Sequence, residues 1–126
     1  MESKEYLEYK QGLIEKREDR RREYISRFFR IMQNFDIDLG EVEEIIVTKE
    51  NVLLSSLVEV WEVTKKETNR VGVSFDDYGG ILEIVRYGSK ALESIGIKVN
   101  YHEEKKGRGI FKKSVDVWKV DCRNFK

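Results

Sequence analysis

Nine consecutive charged residues, Glu15–Glu23 (EKREDRRRE), separate two apolar clusters in the N-terminal part of the chain. Such a run cannot be buried, because each charge would lose its hydration without a matched partner. The flanking residues contain no proline, and the second cluster recurs at the i, i+3, i+4, i+7 spacing of one helical face: Ile25, Phe28, Phe29 and Met32. The sequence therefore predicts one long helix, or two in series, over residues 3–35. We expect its Phe-rich half to dock on the core and its first half to project.

The four apolar residues of that second cluster are also the predicted dimer contact. A projecting helix often mediates self-association, so we expect a homodimer, with a solvated arm as the alternative. Residues Arg20–Arg22 have a basic character suited to phosphate, but acids adjoin them in sequence. A solvated helix surface is the favoured interpretation of that triplet.

The composition excludes several function classes. The 126 residues are 40% hydrophobic and 38% charged, which fits one small domain with a core. One cysteine (Cys122) and one histidine (His102) exclude a disulfide framework and a cysteine-rich zinc site. No nucleophile–base pair or phosphate-binding loop is recognisable, so we expect no enzyme activity, no metal and no cofactor.

Hydropathy and charge give expectations about location and partners. No apolar run approaches the roughly 18 residues of a membrane span, so we expect a cytoplasmic protein without a membrane partner. Residues 1–40 carry nine basic and nine acidic side chains, residues 41–85 carry four and ten, and residues 86–126 carry eleven and five. A basic C-terminal third is typical of a polyanion-binding face, although a solvated surface with segregated charges is the alternative.

The remaining pattern predicts an α+β chain. A connector at residues 36–40 ends the N-terminal extension of residues 1–40, and a second domain covers residues 41–126. Within it the spacing predicts a helix at residues 49–67, two short helices between Ser74 and Gly96 with a turn near Arg86–Ser89, and strands at residues 97–102 and 111–122. A glycine turn joins the strands, and a bulge is expected near Val117–Trp118.

This order of elements resembles the winged helix-turn-helix superfamily, in which three helices are closed by a β-hairpin wing. Residues 87–99 (YGSKALESIGIKV) carry most of the resemblance, because they are similar to a third helix that exits through Gly96 into the wing. Trp61, Ser74-Phe75 and Trp118 add detail similar to the C-terminal winged-helix modules of plasmid, phage and poxvirus-type primase-helicases. The likeness covers about residues 49–121 and does not extend to the catalytic domains of those enzymes, so it implies no catalytic role.

The resemblance implies a set of DNA contacts. The third helix would present Arg86, Tyr87, Ser89 and Lys90 to the major groove, with Arg86 or Lys90 donating to guanine. The wing would meet phosphates or the minor groove through five basic residues: Lys105, Lys106, Arg108, Lys112 and Lys113.

Two functions follow as expectations. The first is a non-enzymatic winged-helix protein that binds double-stranded DNA as a transcription regulator or replication accessory factor. The alternative is a protein–protein interaction module that uses the same scaffold and the Phe-rich helix without touching DNA.

Overall fold

In a computed structural model that describes residues 3–75, 77 and 80–125, three helices pack on one face of a five-stranded sheet. Pairing is antiparallel throughout, in the order β3-β2-β1-β5-β4. The elements are α1 (Lys4–Asn34), β1 (Glu44–Val52), β2 (Ser55–Val63), β3 (Thr68–Ser74), α2 (Ile81–Tyr87), α3 (Ser89–Glu93), β4 (Lys98–Lys106), a 3-10 turn (Gly109–Phe111) and β5 (Lys113–Asp121).

The predicted N-terminal helix is confirmed as the single helix α1. The Ser3 hydroxyl caps it by accepting from the Tyr6 N–H at 3.2 Å, and the chain leaves the helix through Asp36 at positive φ. Phe28 and Met32 are buried in the core of the chain itself, together with Ile31. The prediction of these two residues as dimer contacts is therefore wrong, since no surface of either is left for a second copy. Ile25 is half-buried and Phe29 is partly exposed, with its ring edge-on to Phe125 at 5.9 Å.

The predicted helix at residues 49–67 is wrong. This segment forms the end of β1, a two-residue turn at Leu53-Leu54, and β2. Val58 and Val60 alternate into the core while Trp61 occupies the other face, which is the period-2 pattern of a strand. The apolar residues of this segment are spaced so closely that they fit the periodicity of a helix as well as that of a strand. Its β-branched residues favour the strand.

The C-terminal half follows the sequence more closely. The two short helices and the turn between them are confirmed as α2, Gly88 and α3, and the two strands are confirmed as the β4–β5 hairpin. Asp76, Tyr78 and Gly79, at the start of the predicted helical stretch, lie outside the described residues. The expected bulge at Val117–Trp118 is wrong, because the pairing of β5 with both neighbours is continuous there. The two residues are buried on opposite faces of the sheet, so two consecutive apolar residues interrupt the alternation without any shift in register.

The α+β class with a long N-terminal helix is confirmed, and the winged-helix arrangement is not. The segment expected as the first of three core helices supplies two strands, and the sheet is larger than a hairpin wing. Within the described residues, no helix has the length and apolar character to cross a membrane.

Candidate nucleic-acid interface

A concave surface between α1 and the α2–α3 corner collects positive charge. Its cavity has a volume of about 400 Å³ and is lined by Arg17, Arg20, Arg21, Tyr24, Tyr87, Lys90 and Ala91. We call this surface the basic groove. Among the described residues no acidic side chain lines it, although the charged run of α1 that supplies three of its residues contains four acids.

Helix geometry explains how a run of both acidic and basic residues produces a positively charged surface. Successive residues of an α-helix are rotated by about 100°, so Arg17, Arg20, Arg21 and Tyr24 fall on one side. Glu15, Asp19 and Glu23 follow each other at intervals of four and fall on the opposite side. The charges that cancel in the sequence are therefore separated around the helix axis.

The ion pairs of α1 leave the groove charges available. Arg22 takes up the acids beside it, with Glu18 at 3.9 Å and Asp19 at 3.6 Å. Arg17, Arg20, Arg21 and Lys90 form no ion pair with any residue that the structure describes. Four cations thus face one concavity without an internal counter-charge, which is the electrostatic requirement for holding an anion.

Close packing at Gly88 fixes the two walls of the groove relative to each other. The backbone of Gly88 approaches the ring of Tyr24 so closely that an added Cβ would lie 3.0 Å from the Tyr24 Cγ. One turn further along α1, Arg27 Nη2 donates to Glu83 Oε2 of α2 at 3.0 Å. The hydrogen bond to Glu83 raises the pKa of Arg27.

The four residues predicted on the third helix are divided between two clefts. Tyr87, with 71% of its surface exposed, and Lys90 line the basic groove. Arg86 and Ser89 line a separate cleft of about 390 Å³ with Tyr101, Asp116 and Trp118. The Arg86 guanidinium lies 5.3 Å from the Trp118 ring centroid, a cation–π contact that engages its face. The Tyr101 hydroxyl donates to Asp116 at 2.6 Å, and this bond raises the pKa of Tyr101.

The five basic residues predicted on the wing are on the β4–β5 hairpin, away from the basic groove. Two of them are paired, Lys105 with Glu103 at 2.8 Å and Lys113 with Glu50 at 3.7 Å. Lys106, Arg108 and Lys112 have no ion pair within the described residues. Strand rise puts Lys106 about 17 Å further along β4 than Tyr101.

Sequence reasoning missed the arginines of α1 as part of a site. It favoured a solvated helix surface for Arg20–Arg22 because acids adjoin them in sequence. Placing the run on a helical wheel would have shown that Arg17, Arg20 and Arg21 share a side, and that Arg22 does not. The resemblance selected Tyr87 and Lys90 as candidate contacts, but nothing in the sequence indicated that they face α1, since that depends on tertiary packing.

Potential metal ligands and the cysteine thiol were the other candidate groups in the described part of the chain. No group of three potential metal ligands occurs among the described residues. Cys122 is buried, and burial raises the pKa of its thiol to about 12, so it is a packing residue and a poor nucleophile. No family model, curated protein or solved structure matches the chain.

Proposed function

We propose that the protein binds double-stranded DNA without catalysis, and that the basic groove is the contact surface. The observation that carries the proposal is the convergence of four unpaired cations and two tyrosines, from separate helices, on one concavity. Arginine is well suited to phosphate because its planar guanidinium donates in a fixed fork, and tyrosine hydroxyls supply further donors.

The extent of the groove fits a polyanion better than a small anion. From Arg17 to Tyr24 the helix advances about 10 Å. A DNA duplex carries one negative charge per about 1.7 Å of its axis, so several phosphates face a surface of that length. The three arginines cover about 6 Å of that length, and Tyr24 extends the row of donors to its end, so the groove offers donors to more than one phosphate.

The shape of the corner indicates weak sequence readout. Helix α3 has five residues, little more than one turn, and offers Lys90 together with the preceding Tyr87 as exposed groove contacts. Because phosphate contacts carry no sequence information, most of the affinity is expected to be independent of sequence. That behaviour suits a replication accessory factor and also a regulator whose specificity comes from a partner.

The test compares two triple variants of α1 in duplex binding. Arg17→Gln/Arg20→Gln/Arg21→Gln removes the groove cations, and Lys16→Gln/Arg22→Gln/Arg30→Gln removes three cations from the other sides of the same helix. Both variants lose the same net charge, so a general electrostatic effect weakens both equally. The proposal requires the groove variant alone to lose most of its affinity for a mixed-sequence duplex of about 30 base pairs.

The exposed apolar residues of the projecting half of α1 support the proposal of a homodimer. Tyr6, Leu7, Tyr9 and Ile14 are about half-exposed and precede the groove on the same helix. Pairing two such arms would bring two grooves to one duplex and raise affinity through linked binding. Sedimentation of the wild-type protein and of Leu7→Asn/Ile14→Asn tests this, with a shift from dimer to monomer as the expected result.

The face of the sheet opposite the helices favours a second candidate function, protein–protein interaction. A cavity of about 310 Å³ on that face is lined by Trp61, Ile46 and Val117 together with charged residues of β4 and β5. Tryptophan is enriched in interface anchors, and Trp61 is only half-buried here. Under this reading the groove variant binds duplex as the control does, and Trp61→Ala abolishes capture of a protein partner.

A further inference from the structure

Three loops at one end of the sheet present large apolar side chains to solvent. Leu53 and Leu54 form the turn between β1 and β2, and Ile110 lies in the loop between β4 and β5. Each of these three is more than nine-tenths exposed, and Phe75, just after β3, is 63% exposed. We call these four residues the apolar tip. Such exposure in several adjacent loops is uncommon on a monomer surface and marks an interaction site.

The strand register brings these loops together. Strands β1 and β5 are neighbours, and Glu50 pairs with Val115 next to both loops, so the two hairpins emerge from the same end. Strand β3 ends there as well, because its Ser74 pairs with Val58 of β2. Leu54 and Phe75 line one shared cavity, which confirms that these two loops are in contact range.

The turn conformation indicates that Leu53 does not stabilise the fold. Val52 pairs with Ser55, which leaves a two-residue turn, and Leu53 adopts φ +56° in its first position. A turn with positive φ at the first central residue is the type that selects glycine. A leucine there strains the backbone and buries no surface within the chain, so its side chain is available for a contact outside the fold.

Positive charge is concentrated on the β4–β5 side of the apolar tip. Lys106, Arg108 and Lys112 flank Ile110 and have no ion pair within the described residues. Three nearby acids are paired, Glu50 with Lys113, Glu103 with Lys105 and Glu104 with His102. Asp77 lines the cavity of Leu54 and Phe75, and its carboxylate accepts from the Leu82 N–H. The end of the sheet therefore combines protruding aliphatic side chains with a cluster of cations beside Ile110.

We propose that the apolar tip docks on the surface of an anionic lipid membrane. The aliphatic side chains enter the boundary between headgroups and acyl chains while the lysines and arginine beside Ile110 stay at the level of the headgroup phosphates. Lysine is depleted from protein interface cores but attracted to anionic leaflets, which favours lipid over a protein partner. Leucine and isoleucine offer no face for base stacking, which argues against nucleic acid at this end.

Peripheral docking on a membrane differs from the membrane-spanning contact that the sequence argues against. The expectation of no membrane partner rested on the absence of a membrane-spanning run, and a peripheral contact needs only a few inserted side chains. It is also independent of the basic groove, since no groove residue belongs to the apolar tip.

The experiment is flotation of the full chain with vesicles of phosphatidylcholine alone and with 30% phosphatidylserine. Leu53→Gly/Leu54→Asn replaces the leucines with residues that the turn accepts, so the variant folds while losing the apolar contact. Val73→Thr removes exposed apolar surface on β3, outside both the apolar tip and the basic groove, and is the matched control. Lys106→Gln/Arg108→Gln/Lys112→Gln tests the cations beside Ile110.

We expect binding to the anionic vesicles alone, with at least a tenfold loss for the leucine variant and no loss for Val73→Thr. Each removed charge is expected to reduce affinity about fivefold. No binding of the wild-type chain to anionic vesicles, or equal binding by the leucine variant, would overturn the proposal. A change in the sedimentation of the leucine variant without a change in flotation would also overturn it, and would assign the tip to a protein contact.

Discussion

Gly88 and Tyr24 are in direct contact across the junction of α1 with the α2–α3 corner. A Cβ on Gly88 would lie 3.0 Å from the Tyr24 Cγ and 2.8 Å from the carbonyl oxygen of Ile84. The tyrosine ring is itself part of the basic groove. The absence of a side chain at residue 88 therefore sets how closely the two cationic walls approach each other.

Gly88→Ala is expected to destabilise the fold by about 1–3 kcal/mol, as overpacking in a close contact does. Thermal unfolding measures this. Gly12→Ala is the matched control, because nothing lies within 4 Å of its added Cβ and it occupies a helix interior. Alanine should there stabilise α1 by up to about 1 kcal/mol. Equal effects of the two substitutions would contradict the contact.

The ion pair between Arg27 and Glu83 is expected to contribute little to the stability of the fold. Its side chains are 25% and 48% exposed, so solvent screens the pair at 3.0 Å. A double-mutant cycle with Arg27→Gln and Glu83→Gln should give a coupling energy below about 1 kcal/mol that falls as salt is added. A coupling above about 3 kcal/mol, unchanged by salt, would show that the pair is far more shielded than the structure indicates.

Cys122 is expected to be unreactive while the chain is folded. Reaction with a thiol reagent requires the thiolate, and burial raises the pKa of this thiol to about 12. Labelling at pH 8 should therefore follow global unfolding and accelerate in denaturant. Because the unfolded thiol ionises from about pH 8.5 upward, the unfolded state binds fewer protons between there and pH 12. The contribution of this group to stability should fall as the pH rises through that window.

Leu53→Gly is expected to stabilise the chain, which is unusual for a loss of side chain. Relief of the positive-φ strain contributes about 1–3 kcal/mol, and the greater entropy of glycine in the unfolded chain offsets about 0.5–1 kcal/mol. Leu54→Gly is the control, since Leu54 is not among the positive-φ residues and only the entropic loss applies. An unfolding temperature for Leu53→Gly below that of the wild type would contradict the assigned turn.

The parts of the fold that local pattern controls were predictable, and those that depend on sheet pairing were not. The regular spacing of Ile25, Phe28 and Met32 predicted α1, and alternation with a glycine turn predicted the β4–β5 hairpin. The helix predicted from residue 49 onward was wrong, because the spacing of Leu53, Leu57 and Trp61 fits a helix as well as a hairpin whose turn is Leu53-Leu54. A leucine pair is the opposite of the usual turn signal.

The candidate site shows the same division. The resemblance to winged helices selected Tyr87 and Lys90, which do line the basic groove, and Arg86 and Ser89, which line another cleft. The opposite wall came from Arg17, Arg20 and Arg21, whose separation from neighbouring acids is visible only when the run is placed on a helix. Which surface α1 would then face depends on how Phe28 and Met32 dock, and no local pattern contains that information.

The salt dependence of duplex binding, measured by fluorescence anisotropy, tests the central claim most directly. Each neutralised phosphate contributes about −0.9 to the slope of log affinity against log salt, so four groove cations predict a slope of about −3 to −4. Arg17→Gln/Arg20→Gln/Arg21→Gln should reduce it to about −1, while Lys16→Gln/Arg22→Gln/Arg30→Gln leaves it near the wild-type value. Equal slopes for the two variants, or no duplex binding by the wild-type chain at low salt, would contradict the basic groove as a DNA-binding surface.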